Sequence, residues 1–181
     1  MMIITVSGPP GTGTTTLARE MARKLDLDWI NSGDLFRKIA RDRNMSLKEL
    51  GRLAERGPEI DYQIDDAQKK IAMEQGGVFE GRLSGHLLDA DLKILLRASM
   101  WVRAERIAAR EGGLMEDALL EGNIRNECEA RRYKKYYNID LGDHGVYDLV
   151  IDTETWDAMG VLEIALAAVR ALKDEDKTSF R

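Results

Sequence analysis

The residues with the most specific chemistry stand near the head of the chain. There "GPPGTGTTT" at Gly8–Thr16 fits the phosphate-binding pattern G-x-x-x-x-G-K-[ST] at every fixed position but one, with Thr14 in place of lysine. Glycines at Gly8, Gly11 and Gly13, with Pro9, Pro10 and Thr12 between them, let backbone N–H groups turn toward an anion and approach it closely. A helix opening near Thr14 adds its positive end. Those donors do not depend on a lysine. Thr15 holds the position whose hydroxyl reaches Mg²⁺ in this pattern, and Thr16 adds a second hydroxyl. The plain alternative is a glycine turn joining strand to helix, but with both flanking contexts present phosphate binding is the better reading.

Further cationic candidates follow. Arg37 closes "NSGDLFR", and taken alone it is a surface arginine on a helix. Arg82, in "EGRLSG", follows a strand at the carboxyl edge, where open α/β sheets bind their ligands. Arg103, Arg106 and Arg110 fall along successive turns of one helix. For Arg103, a salt bridge to Glu105 or Glu111 on a solvated face is an equally good reading. Arg125, Glu129 and Arg132 are spaced by four and three, so they share one helical face, and the carboxylate can hold an arginine ready to close over a phosphoryl group. Asp61, Asp65, Asp66 and Gln68 could read a base or form a solvated helix face. His86, His144 and Cys128 read as structural or incidental, and Trp29, Trp101 and Trp156 as core or edge aromatics.

These residues need a scaffold. "MIITVSG" is a β-branched apolar run of a strand buried on both faces, and Leu17, Met21, Ala22 and Leu25 then recur at helical spacing. "LDWI", "GVFEGR", "DLKILLRA" and "YDLVIDT" read as four more strands, with a loop between the third and fourth. Helices are expected over "NSGDLFRKIARDR", over "MSLKELGRLAE" with Ser46 as cap and Glu49 three later, and over "GPEIDYQIDDAQKKIAMEQG" from Pro58 to Gly76. "MWVRAERIAARE" is one helix, "MEDALLEGNIRNECEARRYKKYYNI" a longer helix or helix pair, and "AMGVLEIALAAVRAL" a closing amphipathic helix. The tail "KDEDKTSFR" is expected to fray. Alternation of strand and helix predicts a parallel sheet wrapped by helices.

Composition narrows the partners. The 181 residues suit one domain, and a net charge of −5 argues against a duplex-binding protein. Arg97, Arg103, Arg106, Arg110, Arg125, Arg131 and Arg132 nevertheless concentrate in one segment, which suits a small anionic ligand. A single cysteine excludes an internal disulfide, and two isolated histidines offer no metal cluster. No signal peptide or membrane span is evident, so a cytoplasmic protein without membrane or nucleic-acid partners, and a monomer, is expected. The residues alone reach a kinase of a small phosphorylated acceptor.

The glycine loop, "NSGDLFR", "EGR" and the R-x-x-x-[DE]-x-x-R spacing occur in the order of the nucleoside monophosphate kinases, and together they resemble the short cytidylate kinases of archaea, which also carry threonine in place of the loop lysine. The resemblance implies an α/β P-loop three-layer fold with a five-stranded parallel sheet. Its core would comprise 1–44, 76–112 and 145–173, with a helical NMP-binding insert at 45–75 and a short lid at 113–144. It implies ATP as phosphoryl donor, Mg²⁺, and CMP or dCMP as acceptor. Arg37 and Arg82 would grip the acceptor phosphate with Ser32 close by, and Asp61 would lie in the acceptor site. Arg106 would stack on the donor base, and Arg110, Arg125 and Arg132 would act on the transferring phosphoryl. Thr15 and Glu80 would serve the metal, Glu80 replacing the family's aspartate. Leu83 departs from the family, standing where a base-contacting aspartate is found. An adenylate kinase acting on AMP fits "NSGDLFR" as well, but "EGRLSG" lacks its "DGFPR" form. A non-catalytic nucleotide-binding regulator that lost activity with its lysine is the alternative of another class, and a P-loop ATPase acting on RNA finds little support in the acidic balance.

Overall fold

The computed structural model of the chain describes residues 1–178. Five parallel strands form one sheet in the order β2-β3-β1-β4-β5. The strand β1 (Ile3–Ser7) lies at its centre, buried from Ile4 to Ser7, which is why its sequence is a continuous apolar run. From β1 the chain passes through α1 (Thr14–Leu25) to β2 (Trp29–Asn31), at the edge. It then runs through α2 (Ser32–Asp42), α3 (Leu47–Arg56) and α4 (Glu59–Gln75) back to β3 (Gly77–Glu80), beside β1. After the short α5 (Ser84–Leu87) the direction of winding reverses, and β4 (Leu92–Arg97) pairs on the other side of β1. The helices α6 (Met100–Glu111) and α7 (Met115–Tyr137) precede β5 (Leu149–Asp152), and α8 (Ala158–Thr178) closes the chain. The reversal beside β1 opens a crevice at the carboxyl ends of the strands, directly over the glycine loop.

The main core joins one sheet face to two helices. Alternate residues Ile4 and Val6, with Leu92, Ile94 and Leu96, meet Leu17, Ala18, Met21 and Ala22 of α1 and Val161, Leu162, Ala165 and Val169 of α8. On the other face Phe79 packs with Ile30, Ala72 and Leu88. A separate apolar cluster holds α2, α3 and α4 together through Ala40, Leu50, Ala54, Ile60 and Ile64, with Leu35 and Phe36 against it. Thus α2 packs with the helices that follow it. The expected capping box is present at α3, where Ser46 and Glu49 satisfy each other's backbone N–H groups. Gly76 (φ 71) and Gly77 (φ 133) then make the abrupt return from α4 into β3.

Several boundaries differ from expectation. The third strand stops at Glu80, and the supposed loop after it contains α5, a helix too short to show periodicity. The long charged segment is one unbroken helix, α7, because nothing in it breaks the ladder before Asn138 takes the left-handed conformation. The helical backbone of α8 continues past Lys173 through Thr178, and the rest of the expected fraying tail, 179–181, lies outside the described residues. Lys, Asp and Glu form helix as readily as coil, so polarity alone does not mark where a helix ends.

Candidate active site

The glycine loop lies against α6. Gly11 (φ 87) approaches that helix so closely that a Cβ would stand 2.7 Å from the carbonyl oxygen of Arg103, and Gly13 (φ 91) carries the chain into α1 in the left-handed region. Thr12 is buried, its hydroxyl donating to the Pro9 carbonyl at 2.7 Å. No side chain caps α1, so its first-turn N–H groups are left for an anion.

Thr14 has a definite role in this arrangement. Its hydroxyl donates to Oε1 of Glu80 at 3.0 Å, beside the hydroxyl of Thr15, which donates to the same oxygen. Trp29 Nε1 donates to Oε2 at 3.0 Å, and Asn31 Nδ2 donates there too. Glu80 is 5% exposed and held by neutral donors from the loop and β2. Thr15 and Glu80 therefore present one hydroxyl and one carboxylate side by side. That set suits Mg²⁺, which keeps several waters and takes few protein ligands beside substrate phosphates.

A cavity of about 560 Å³ opens between the insert helices, the end of β3 and α7, a size that fits a small ligand. It brings together Ser32, Arg37, Asp61, Arg82, Arg125 and Arg132, with Asp65, Gln68 and Leu83 also on its wall. Arg37 is half-exposed and pairs with Asp34 at 2.7 Å. Arg82 is nearly buried, donating to Glu129 and, at 2.6 Å, to Asn126. Glu129 also accepts from Arg125 Nε at 2.8 Å. Burial opposes ionisation of Glu129, but the Arg82 and Arg125 guanidinium groups outweigh it and hold the carboxyl below its ordinary range. Arg132 instead sits against Asp61, Nε to Oδ2 at 2.9 Å, an ion pair not aligned as a hydrogen bond. Burial, reinforced by Asp65 and Glu129 and only partly offset by Arg132, pushes Asp61 up to about 6. Tyrosines fasten the end of α7 to the insert: Tyr137 donates to Asp65, and Tyr136 to the Glu55 carbonyl at 3.3 Å.

The remaining expected residues lie around the loop. Arg106 donates to the Thr153 hydroxyl at 2.9 Å, to its carbonyl at 2.7 Å and to the Gly11 carbonyl at 3.3 Å, tying the loop to the end of β5. With Thr12, Gly13, Thr16 and Trp156 it surrounds a cavity of about 280 Å³. Arg110 is not brought to the acceptor cavity. It is exposed, pairs with Glu111, and lines a third cavity of about 380 Å³ between α6 and α7.

Two residues carry more than their sequence reading. Trp156, half-exposed, is an edge aromatic but also walls the cavity beside Arg106; its position just beyond the carboxyl end of β5 was the available signal. Arg103 does not bridge to Glu105 or Glu111 on a solvated face. It is buried behind the loop, and nothing in the helical spacing distinguishes that face from the exposed one.

A phosphate loop at the switch point of a parallel sheet, facing a cavity of converging arginines, defines a P-loop phosphotransferase of the nucleoside monophosphate kinase class. The chain belongs to the cytidylate kinase-like family, whose model matches residues 3–155. A protein of Methanothrix thermoacetophila named cytidylate kinase is 65% identical over 172 residues, covering 95% of this chain and 100% of its own. One of Methanocella arvoryzae with the same name is 49% identical over 173 residues, covering 95% and 99%. A gluconokinase from Sinorhizobium meliloti superposes with a TM-score of 0.64 at 16% identity over 98% of this chain and 97% of its own, which shows a shared fold.

Proposed function

We propose that this chain transfers the γ-phosphoryl group of ATP to CMP, with dCMP a second acceptor, giving CDP and ADP. The observation that carries the reading is the cavity in which Ser32, Arg37 and Arg82 converge with Arg125 and Arg132, beyond the end of β3, the strand paired with β1. Core, helical insert and α7 then serve as donor platform, acceptor site and lid.

Phosphoryl transfer asks for alignment and charge neutralisation more than proton chemistry, so no general base is assigned. The N–H groups at the head of α1 hold the donor phosphates. Arg106 and Trp156 flank the space beside Gly13, where the donor base would lie between a guanidinium and an aromatic face. Arg37 and Arg82 bind the acceptor phosphate, Arg82 exchanging part of its bond to Glu129 for phosphate oxygens. Arg125 and Arg132 then close over the transferring group from α7, excluding water that would otherwise take the phosphoryl group. Mg²⁺, held through Thr15 and Glu80, would supply positive charge to the donor phosphates.

Coupled assay of ATP consumption with CMP, dCMP, UMP, AMP and GMP in turn tests the reading. CMP is expected to give the highest kcat/KM. An AMP value equal to or above that of CMP would make the chain an adenylate kinase, and no turnover with any acceptor would make it a nucleotide-binding regulator.

A further inference from the structure

Position 14 supplies no cation to the phosphate loop, yet the helix on which the loop rests carries an arginine at the point of contact. Arg103 is 8% exposed, and its carbonyl oxygen, Cα and Cβ are the atoms on which Gly11 rests. Its neighbours in function all have partners: Arg82 and Arg125 share Glu129, Arg132 has Asp61, Arg106 is held by Thr153, Arg37 by Asp34 and Arg110 by Glu111. Among the described residues Arg103 has no such partner, and its buried Nε makes no hydrogen bond. Burial, and then the nearby charge of Arg82, weaken its hold on its proton. A buried guanidinium nitrogen without a partner is a cost that a fold sustains when a ligand completes the group. Arg103 lines the 380 Å³ cavity between α6 and α7, whose wall also holds Pro10 of the loop, Arg125 and Asn126.

We propose that Arg103 is the fixed cation of the phosphate loop, its guanidinium pairing with the β- and γ-phosphate oxygens of the bound donor and taking the part left vacant by Thr14. The proposal rests on the donor site described above but not on the identity of the acceptor. It also separates two kinds of arginine. Arg125 and Arg132 come from α7 with carboxylate partners to leave, whereas Arg103 is built into the wall with nothing to release.

The test compares Arg103→Met and Arg103→Lys with the parent, reading thermal stability with and without inorganic pyrophosphate, and then kcat. In the Met variant, stability without ligand should equal or exceed that of the parent, because an unpaired buried charge has gone. Its pyrophosphate-induced rise in Tm should fall by at least about half, and its kcat should drop about 100-fold while CMP affinity changes less than about threefold. The Lys variant should keep part of both the shift and the rate. A Met variant whose pyrophosphate shift and kcat stay within about threefold of the parent overturns the proposal, since the amides alone then suffice. A Met variant that is less stable than the parent, or does not fold, overturns it too and makes Arg103 a packing strut. Should the parent fail to phosphorylate CMP while the pyrophosphate shift still depends on Arg103, the acceptor assignment fails and this inference stands.

Discussion

Thr14 and Glu80 form a unit, and the substitution of threonine for lysine makes sense only with both in view. The threonine hydroxyl, with that of Thr15, helps hold the carboxylate at the end of β3. A lysine introduced at Thr14 would meet that carboxylate first, pair with it and draw it from Thr15. Thr14→Lys is therefore expected to leave kcat unchanged or lower it in steady-state assay; a large gain would show that the loop simply lacks a charge. Arg37→Ala and Arg82→Ala should each weaken CMP binding by about 1.5–3 kcal/mol, roughly 10- to 150-fold, with ATP affinity little changed. Calorimetric titration distinguishes this from an acceptor site elsewhere, for which CMP affinity would stay intact in both. The two should differ in stability. Arg37 pairs with an exposed aspartate and costs little to remove, whereas losing Arg82 leaves the buried Glu129 with Arg125 alone. The loop and the four-and-three arginine spacing were readable from residue types. The exposure of Arg103 was not, because a helix places an arginine inside or outside according to what docks on it, and here that is the backbone of Gly11.

Among the elements, α7 joins the end of β3 to the helical insert. The spacing in the sequence makes Glu129 the partner of Arg125 and Arg132. In the structure Glu129 serves Arg125 and, across to the end of β3, Arg82, while Arg132 reaches Asp61 on α4. Pairing within one helix follows from its period, but pairing between helices follows from docking, which no local pattern encodes. Glu129→Gln removes the charge that two guanidinium groups surround and should cost about 3 kcal/mol in denaturant unfolding. A loss near zero would mean that the network is ornamental. Asp61 gives a pH signature. Its pKa in the folded protein is about 6 against an ordinary 3.8, so the native state keeps a proton that the unfolded chain has already released between those values. The stability linked to that proton is complete below the unfolded value and is lost as pH rises through the folded one. Asp61→Asn should gain in unfolding free energy relative to the parent as pH rises from about 4 to about 7, and no further above that. A difference that stays flat or narrows over that range would contradict the buried, charge-averse setting of Asp61.

At the scale of the whole molecule, the site exists because the order of strands reverses beside β1. That reversal places the phosphate loop, the end of β3 and the end of β5 around one crevice. The alternation of strands and helices in the sequence was enough to predict a parallel sheet, since each strand is a short apolar run and each helix carries its own period. It did not show that α2 joins the cluster of α3 and α4 through Leu35, Phe36 and Ala40, nor that Trp156 walls the cavity beside Arg106, because both depend on the assembled layers. No helix among the described residues is long and apolar enough to cross a membrane. The central claim is that this scaffold directs phosphoryl groups to CMP. It is tested most directly by supplying CMP and AMP together at equal concentration with γ-labelled ATP and separating the labelled products at early times, which reads the ratio of the two kcat/KM values in one tube. Label is expected to accumulate predominantly in CDP. Equal or greater labelling of ADP, or release of label as free phosphate alone, would contradict it.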